Sequence, residues 1–579
     1  MKIFKLFPLA CAALMMTACG SDNDIEGGAT NPGGDAQYLA VNIVNVGTTP
    51  TGRGSSTDPD YADGTAAENQ INKVRFYFFN ADGSPYKLVG TEETTTGTTN
   101  VNWLEQKTID PITEGSTGSV DKILNTVLVI KGSTAAAPAK MVTVINPGTL
   151  NTTTLKSDGV VTLSELCDGL HDTKFYETPI SGSISDFVMT NSAYLEAGRK
   201  VCPSLVSGHV ETSDAAAKNN PVDIYVERVA AKVTTALTDA NFEVGTVGTA
   251  TDWGVGLYKT KDPVYTYGAD TKIYAVIEGW GVADENANAM VVKQISNSWT
   301  NDNLGINPWN TADYHRCFWE SMMPNATGTS IYSNVNHAFN YYKANITTGI
   351  KYTLPNTAAA ATEYSDKKEN NMTKFLVAAT LKYQDGGVWK NAEVCKYRGV
   401  EYLGINNLKE AVATAYNKYY KKVGTDYKEL QAADIDFSTT RTSTTTTTTL
   451  KDYQVVPTLV STVTEVYQKN NTTGDYDDVT ATAKAEIEKF TAEVRTDGKA
   501  YYYIPIKHLG SDGSVAECGI VRNHWYQVTL NKIKGLGTPV YKADKIIDPT
   551  TPEDNDTYLA ARVNVLQWRV VSQTVDLGK

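Results

Sequence analysis

The sequence predicts a mainly β chain, built of β-sandwich domains that carry short helical insertions. Runs of β-branched and aromatic residues that end in Gly, Pro or Asn recur along most of its length. Helical periodicity is confined to two places, near "LSELCDGL" and from Leu408 to Val423. The composition, 41% hydrophobic and 20% charged with 20 prolines against 44 glycines, is that of a globular chain rather than a disordered or fibrous one. Many short strands with a minority of helix favour packed sheets over a bundle. At about 150 residues a domain, the 579 residues suggest two to four domains.

The amino terminus comes before any strand. Lys2 and Lys5 precede an apolar stretch from Leu6 to Met16 and then small residues, which is the pattern of an export signal and too short for a mature membrane span. Met16-Thr17-Ala18-Cys19 resembles a bacterial lipoprotein box, with residues 1–19 as the signal and Cys19 the lipidated residue. An ordinary secretory signal, with Cys19 incidental, is the alternative. The acidic "SDND" that follows resembles the export tags of Bacteroidetes surface lipoproteins. No later run of about 18 apolar residues occurs, so lipid is the only membrane anchor expected.

Residues 20–53 read as a flexible tether followed by a first strand. "YLAVNIVNV", residues 38–46, sets Leu39, Val41 and Ile43 on one face against Ala40, Val44 and Val46 on the other. Beyond it lies a Thr/Gly/Ser loop with one basic residue, Arg53, followed by Gly54; no other Lys or Arg stands between Lys5 and Lys73. "KVRFYFFNADGSPY" then alternates Val74, Phe76 and Phe78 against Arg75, Tyr77 and Phe79, and breaks at Asp82-Gly83. Comparable runs are "NTVLVIKG", "KMVTVINPG", "PVDIYVERVAAKV", "KIYAVIEGW", "KFLVAATLKYQDGG", "YYYIPIKH" and "HWYQVTLNKIKGLG". The loop-rich stretch after Gly279-Trp280-Gly281 suggests a boundary near residue 295, giving domains 54–295 and 296–579. Leu408, Val412, Ala415 and Tyr419 recur at helical spacing. The low-complexity tract from Phe437 to Leu450 reads as a surface loop.

The terminal run, residues 562–579, changes phase. Its apolar positions are Val563 and Val565, then Leu566, Trp568 and Val570, then Val571, Val575 and Leu577, which predicts a bulge or two short strands.

A search for chemistry returns little. A net charge of −13 opposes nucleic acid as a partner. Six histidines occur singly, without HExxH or HxH, and Asp58, Asp60 and Asp63 miss the spacing of an EF-hand loop, so no metal is expected. Neither GxSxG nor GxxxxGK[ST] occurs. The His315-Arg316-Cys317 triplet reads as packing. Once Cys11 and Cys19 are set aside, Cys167, Cys202, Cys317, Cys395 and Cys518 are odd in number and widely spaced, which suggests neither a disulfide framework nor a zinc site. Paired carboxylates for glycoside hydrolysis depend on spatial separation and stay open at this point. The expectation is a non-enzyme without cofactors.

Taken together, the lipobox, the strand before Gly52-Arg53-Gly54, "ERVAAKV", "HRCFW", "RNHWYQVTLNKIKGLGTPV" and the terminal "VVSQTVDL" resemble the Mfa1 family of fimbrial major subunits of Bacteroidales. The resemblance implies two transthyretin-like β-sandwich domains and export as an outer-membrane lipoprotein. It further implies removal of the first strand by an Arg-specific protease after Arg53, then polymerisation by strand exchange into an extracellular fimbrium. Expected partners are other copies of the chain, fimbrial anchor and tip subunits, the protease, and host or bacterial surface ligands. The donor strand would run over Val563, Val565, Trp568, Val570, Val571, Val575 and Leu577. Two alternatives are a fimbrial anchor or accessory subunit that keeps its lipid, and a surface glycan-binding lipoprotein whose Trp and Tyr side chains form stacking platforms.

Overall fold

The computed structural model describes residues 37–45, 64–88, 101–106, 124–130, 136–150, 159–246, 253–293, 334–357, 372–508, 519–549, 558–566 and 572–574, with short breaks at 66, 170, 173, 177–184, 193, 197–198, 202–203, 344–348, 442–449 and 451–452. Cys19, Arg53, Gly54, Trp568, Val570, Val571, Val575 and Leu577 lie outside these residues, as do Cys202, Cys317 and Cys518.

A nine-stranded sheet organises the first half of the chain. Its strands include β1 (Gln37–Asn45), β2 (Val74–Phe79), β3 (Trp103–Gln106), β4 (Leu124–Ile130), β5 (Lys140–Ile145), β6 (Met189–Asn191), β7 (Val210–Glu211) and β8 (Val222–Arg228). Alternation works as the sequence predicts, but both faces are covered. Phe76 and Phe78 join Leu39, Val41, Met141 and Ile224 in one core, while Tyr77 and Phe79 join Val142, Val144, Leu166 and Phe175 in another. The strand β2 ends in the turn foreseen at Asp82-Gly83. Gly83 takes φ +83°, in the left-handed region that favours glycine, and Asn80 closes the turn by donating to the Ser84 carbonyl at 2.9 Å.

The second half is a sandwich. One layer, of five strands, contains β9 (Ala231–Leu237), β11 (Ile350–Thr353), β14 (Trp525–Lys534), β15 (Tyr558–Leu566) and β16 (Ser572–Thr574). The facing layer, of eight strands, is centred on β10 (Thr271–Ala283), β12 (Lys374–Asp385) and β13 (Lys499–Pro505). Val233, Val528 and Leu530 from one layer meet Ile273, Ile277, Val377, Leu381 and Tyr502 from the other.

Two features carry no local mark in the sequence. The strand pairing changes between Arg228 and Ala231: β8 belongs to the first sheet, whereas β9 lies parallel to β14, with Lys232 opposite Trp525. No local signal marks this switch, because the pairing that causes it joins Thr235 to Val528, 293 residues away. The second is a further core, separate from the three above, in the stretch between the hairpin strand Val388–Asn391 and β13. Here α1 (Ile405–Ala415) and α2 (Thr480–Ile487) pack Leu408, Val412, Ala483 and Ile487 against Ile435, Val455 and Val494. The helix predicted over Leu408–Val423 therefore stops at Ala415, and Tyr419–Val423 is a strand. Gly424-Thr425 forms a two-residue hairpin loop to Asp426–Glu429, so turn chemistry overrides the helical spacing of Tyr419. Among the described residues no helix is long and apolar enough to cross a membrane.

Candidate assembly groove

The first strand is an interior strand. Along one edge β1 pairs antiparallel with β4, from Gln37 opposite Ile130 to Ile43 opposite Leu124. Along the other it pairs antiparallel with β7 at Tyr38 and Leu39, then parallel with β8 from Val41 opposite Val222 to Asn45 opposite Val226. Leu39 and Val41 are completely buried in the core with Leu128, Ile130, Val222, Ile224 and Val226. Ala40, on the opposite face, is also buried. Ile43 and Val44 continue the strand, and Val46 lies outside the described residues.

Residues 37–45 thus fill a slot whose walls are β4 and β8. Among the described strands β4 has no partner other than β1. Withdrawal of β1 would leave two strands with unpaired backbone groups over an apolar floor, which is costly in water and a template for another strand.

The chain re-enters the described structure at Gly64, past the Arg53 loop, and is fastened at once. Thr65 and Glu68 form a reciprocal turn: the Thr65 amide donates to Glu68 Oε2 at 2.7 Å and the Glu68 amide to Thr65 Oγ1 at 3.3 Å. Lys232, at the start of β9, reaches Glu68 Oε1 at 2.7 Å, and the Tyr352 hydroxyl donates to the same oxygen. Burial alone would push the Glu68 carboxyl up, but the Lys232 ammonium and these hydrogen bonds hold it below its ordinary value. Arg228 donates from Nε to the Glu68 carbonyl at 2.8 Å and from Nη1 to Asn523 Oδ1 at 3.0 Å, which ties this anchor to both sheets. Residues 64–69 are therefore held by contacts that do not involve β1.

The carboxyl terminus is arranged differently. Strand β15 pairs antiparallel with β14, and Val563 and Val565 stand opposite Val528 and Tyr526. The strand β16 folds back on β15 over Arg562 opposite Thr574 to Asn564 opposite Ser572, at the edge of the five-stranded sheet. Two short strands thus replace one flat one, as the change of apolar phase predicts. Sequence reasoning grouped Val563 and Val565 with the donor residues; the fold puts both in the subunit's own sheet, because their register with β14 completes it.

Cys395 is buried beside the carbonyl of Glu393, and burial pushes its thiol up to about 12. Glu285 stands opposite Val335 in a separate two-stranded ladder, its carboxylate 4.0 Å from His337 Nε2 and near Lys351, Tyr176 and Tyr341. Burial raises its carboxyl to about 7 despite the pull of Lys351. Neither residue carried a sequence signal, since both shifts come from packing. Among the described residues no cluster of His, Cys, Asp or Glu could hold a metal ion.

Several solved structures align along the chain. A fimbrilin from Porphyromonas gingivalis W83 matches at 13% identity over 93% of this chain and 98% of its own, with a TM-score of 0.35. The tip fimbrial protein Mfa3 from Porphyromonas gingivalis, truncated at its carboxyl terminus, matches at 9% identity over 92% and 100%, with a TM-score of 0.29. A fimbrial assembly protein from Parabacteroides distasonis ATCC 8503 matches at 11% identity over 63% and 85%, with a TM-score of 0.25. No curated protein sequence matches. The sequence likeness is specific at one end, where residues 495–574, spanning β13 to β16, match the family model of the major fimbrial subunit protein type IV, fimbrillin, carboxyl-terminal part.

Proposed function

We propose that the chain is the shaft subunit of a surface fimbria that supports adhesion: it is exported as a lipoprotein acylated at Cys19, matured by cleavage after Arg53, and polymerised by strand exchange. The observation that carries this reading is the position of β1, a core-filling interior strand that precedes Arg53 in the sequence. The fimbrillin match at the other end supports it.

While β1 is covalently attached, tethering gives it an effective concentration on the order of millimolar or more in its slot, which an incoming strand can hardly match. Cleavage between Arg53 and Gly54 converts it into a separate peptide that can leave and not return, and releases the subunit from its lipid. The anchor at Thr65 and Glu68 keeps the new amino terminus in place. A strand from a second copy then restores the ladder to β4 and β8 and refills the positions of Leu39 and Val41, regaining about 2 kcal/mol for each such side chain. Because donor and acceptor surfaces differ, the contact is head-to-tail and yields an open fibre. The donor begins beyond Leu566, with Trp568, Val570, Val571, Val575 and Leu577 as its apolar side chains; releasing β16 sacrifices only a three-residue edge strand.

The test is to express residues 20–579 and treat the protein with an Arg-specific protease. The reading requires limited cleavage after Arg53 and then a ladder of oligomers. A cut product that stays monomeric, or no cut at that bond, favours an anchor subunit or a glycan-binding surface lipoprotein. Deleting residues 567–579 is expected to abolish the ladder and leave the monomer folded.

A further inference from the structure

Besides Lys232 with Glu68, two lysine–carboxylate pairs are buried among the described residues: Lys293 with Glu227, and Lys374 with Asp284. The second has the parts of a reactive site. Lys374 is 1% exposed and Asp284 0%, and the lysine Nζ contacts Asp284 Oδ2. On the other side of the carboxyl group, Asn336 Nδ2 donates to Asp284 Oδ1 at 2.7 Å, while Asn336 Oδ1 accepts from the Asp284 amide at 2.8 Å. The Asp284 carbonyl accepts from Thr373 Oγ1 at 3.2 Å and Asn356 Nδ2 at 3.4 Å. These bonds hold Asp284 in a left-handed backbone conformation, φ 52°. An aspartate that merely balanced a lysine would need none of this.

We propose that Lys374 and Asp284 are joined by an intramolecular amide bond, formed without an enzyme once the sandwich of the second half closes around them. Charge separation is disfavoured in a dry interior, so passing the shared proton from Nζ to the carboxyl group costs less there than in water. Burial raises the Asp284 carboxyl in spite of Lys374, and the negative charge of Asp548 adds to that rise. The Nζ lone pair attacks Cγ, Asn336 stabilises the charge that develops on Oδ1, and Oδ2 departs with two protons as water. One C–N bond forms and one C–O bond breaks; no oxidant or co-reactant is needed. Water is excluded from the buried product, which removes the reverse reaction.

The position suits a staple. Ala283, the last residue of β10, stands opposite Lys374, the first of β12, so the bond closes the open end of the central strand pair of the sandwich. It depends on folding alone, and its test is independent of filament assembly.

The intact mass of folded residues 20–579, measured after denaturation, decides the matter. The expected value is lower than the sequence mass by one water molecule, and proteolysis yields a branched peptide joining Lys374 to Asp284. Lys374→Arg, which keeps the charge and cannot form this amide, restores the full mass; Asn336→Ala lowers the linked fraction at early times after refolding. A wild-type protein of full sequence mass overturns the proposal. So does a water deficit that persists in Lys374→Arg or maps to Lys293 and Glu227. If Lys374→Arg fails to fold, the presence or absence of the branched peptide in the wild type still decides.

Discussion

The first and last of the described strands are held in opposite ways. At the amino end β1 has partners along both edges and two side chains in the centre of a core. At the carboxyl end β16 is the outermost strand of its sheet and pairs over three positions with β15 alone. An interior strand that fills a core does not leave by thermal fraying, whereas a three-residue edge strand opens readily. The difference implies that departure of the first strand needs a covalent event, and that the last strand needs none.

Deleting residues 37–45 outright, rather than cutting after them, breaks the comparison most severely. The first sheet then folds without its filler, and the expected outcome is aggregation or failure to refold, read by light scattering and circular dichroism. Leu39→Ala is the graded version: a large-to-small change at a fully buried site is expected to cost about 2–5 kcal/mol in urea unfolding. If that variant unfolds like the wild type, β1 is not the filler that its burial implies.

Glu285 sharpens the comparison at the junction between the halves. Its folded carboxyl titrates near 7 and its unfolded one near 4.5, so between these values the native state keeps a proton that the unfolded state has lost. Stability should therefore fall as pH rises from about 4.5 to 7, by on the order of 3 kcal/mol, and level off above. Glu68 has the opposite sign: its depressed carboxyl contributes stability above its unfolded value, and that contribution is lost as pH falls. Glu285→Gln should flatten the decline above pH 4.5 and leave the acid limb in place; an unchanged profile would remove Glu285 from the account. The smallest effect is expected at the other end. Truncation after Leu566 should change monomer stability by less than about 1 kcal/mol while preventing oligomer growth, because an edge strand adds little to a sheet already closed by β15.

Much of this was legible in the residues. The alternation of Leu39 and Val41, and of Val74, Phe76 and Phe78, marked core-facing strands, and Asp82-Gly83 marked the turn that forms there. The phase shift after Val565 marked the break between β15 and β16. The helix over Leu408–Val423 was half legible: its apolar spacing holds to Val412, and the Gly424-Thr425 turn then takes over. The clustering of Glu68, Lys232, Tyr352, Arg228 and Asn523 was not legible, since it joins parts of the chain with no shared local pattern.

By itself the sequence determined which segments are strands and which faces of them are apolar, because side-chain alternation and turn residues act over a few neighbouring positions. Only the tertiary structure decided which strands become neighbours. The parallel pairing of β9 with β14, the insertion of β1 between β4 and β8, and the burial of Asp284 against Lys374 each join distant positions, and their stability comes from excluding water at contacts that no short stretch of chain contains.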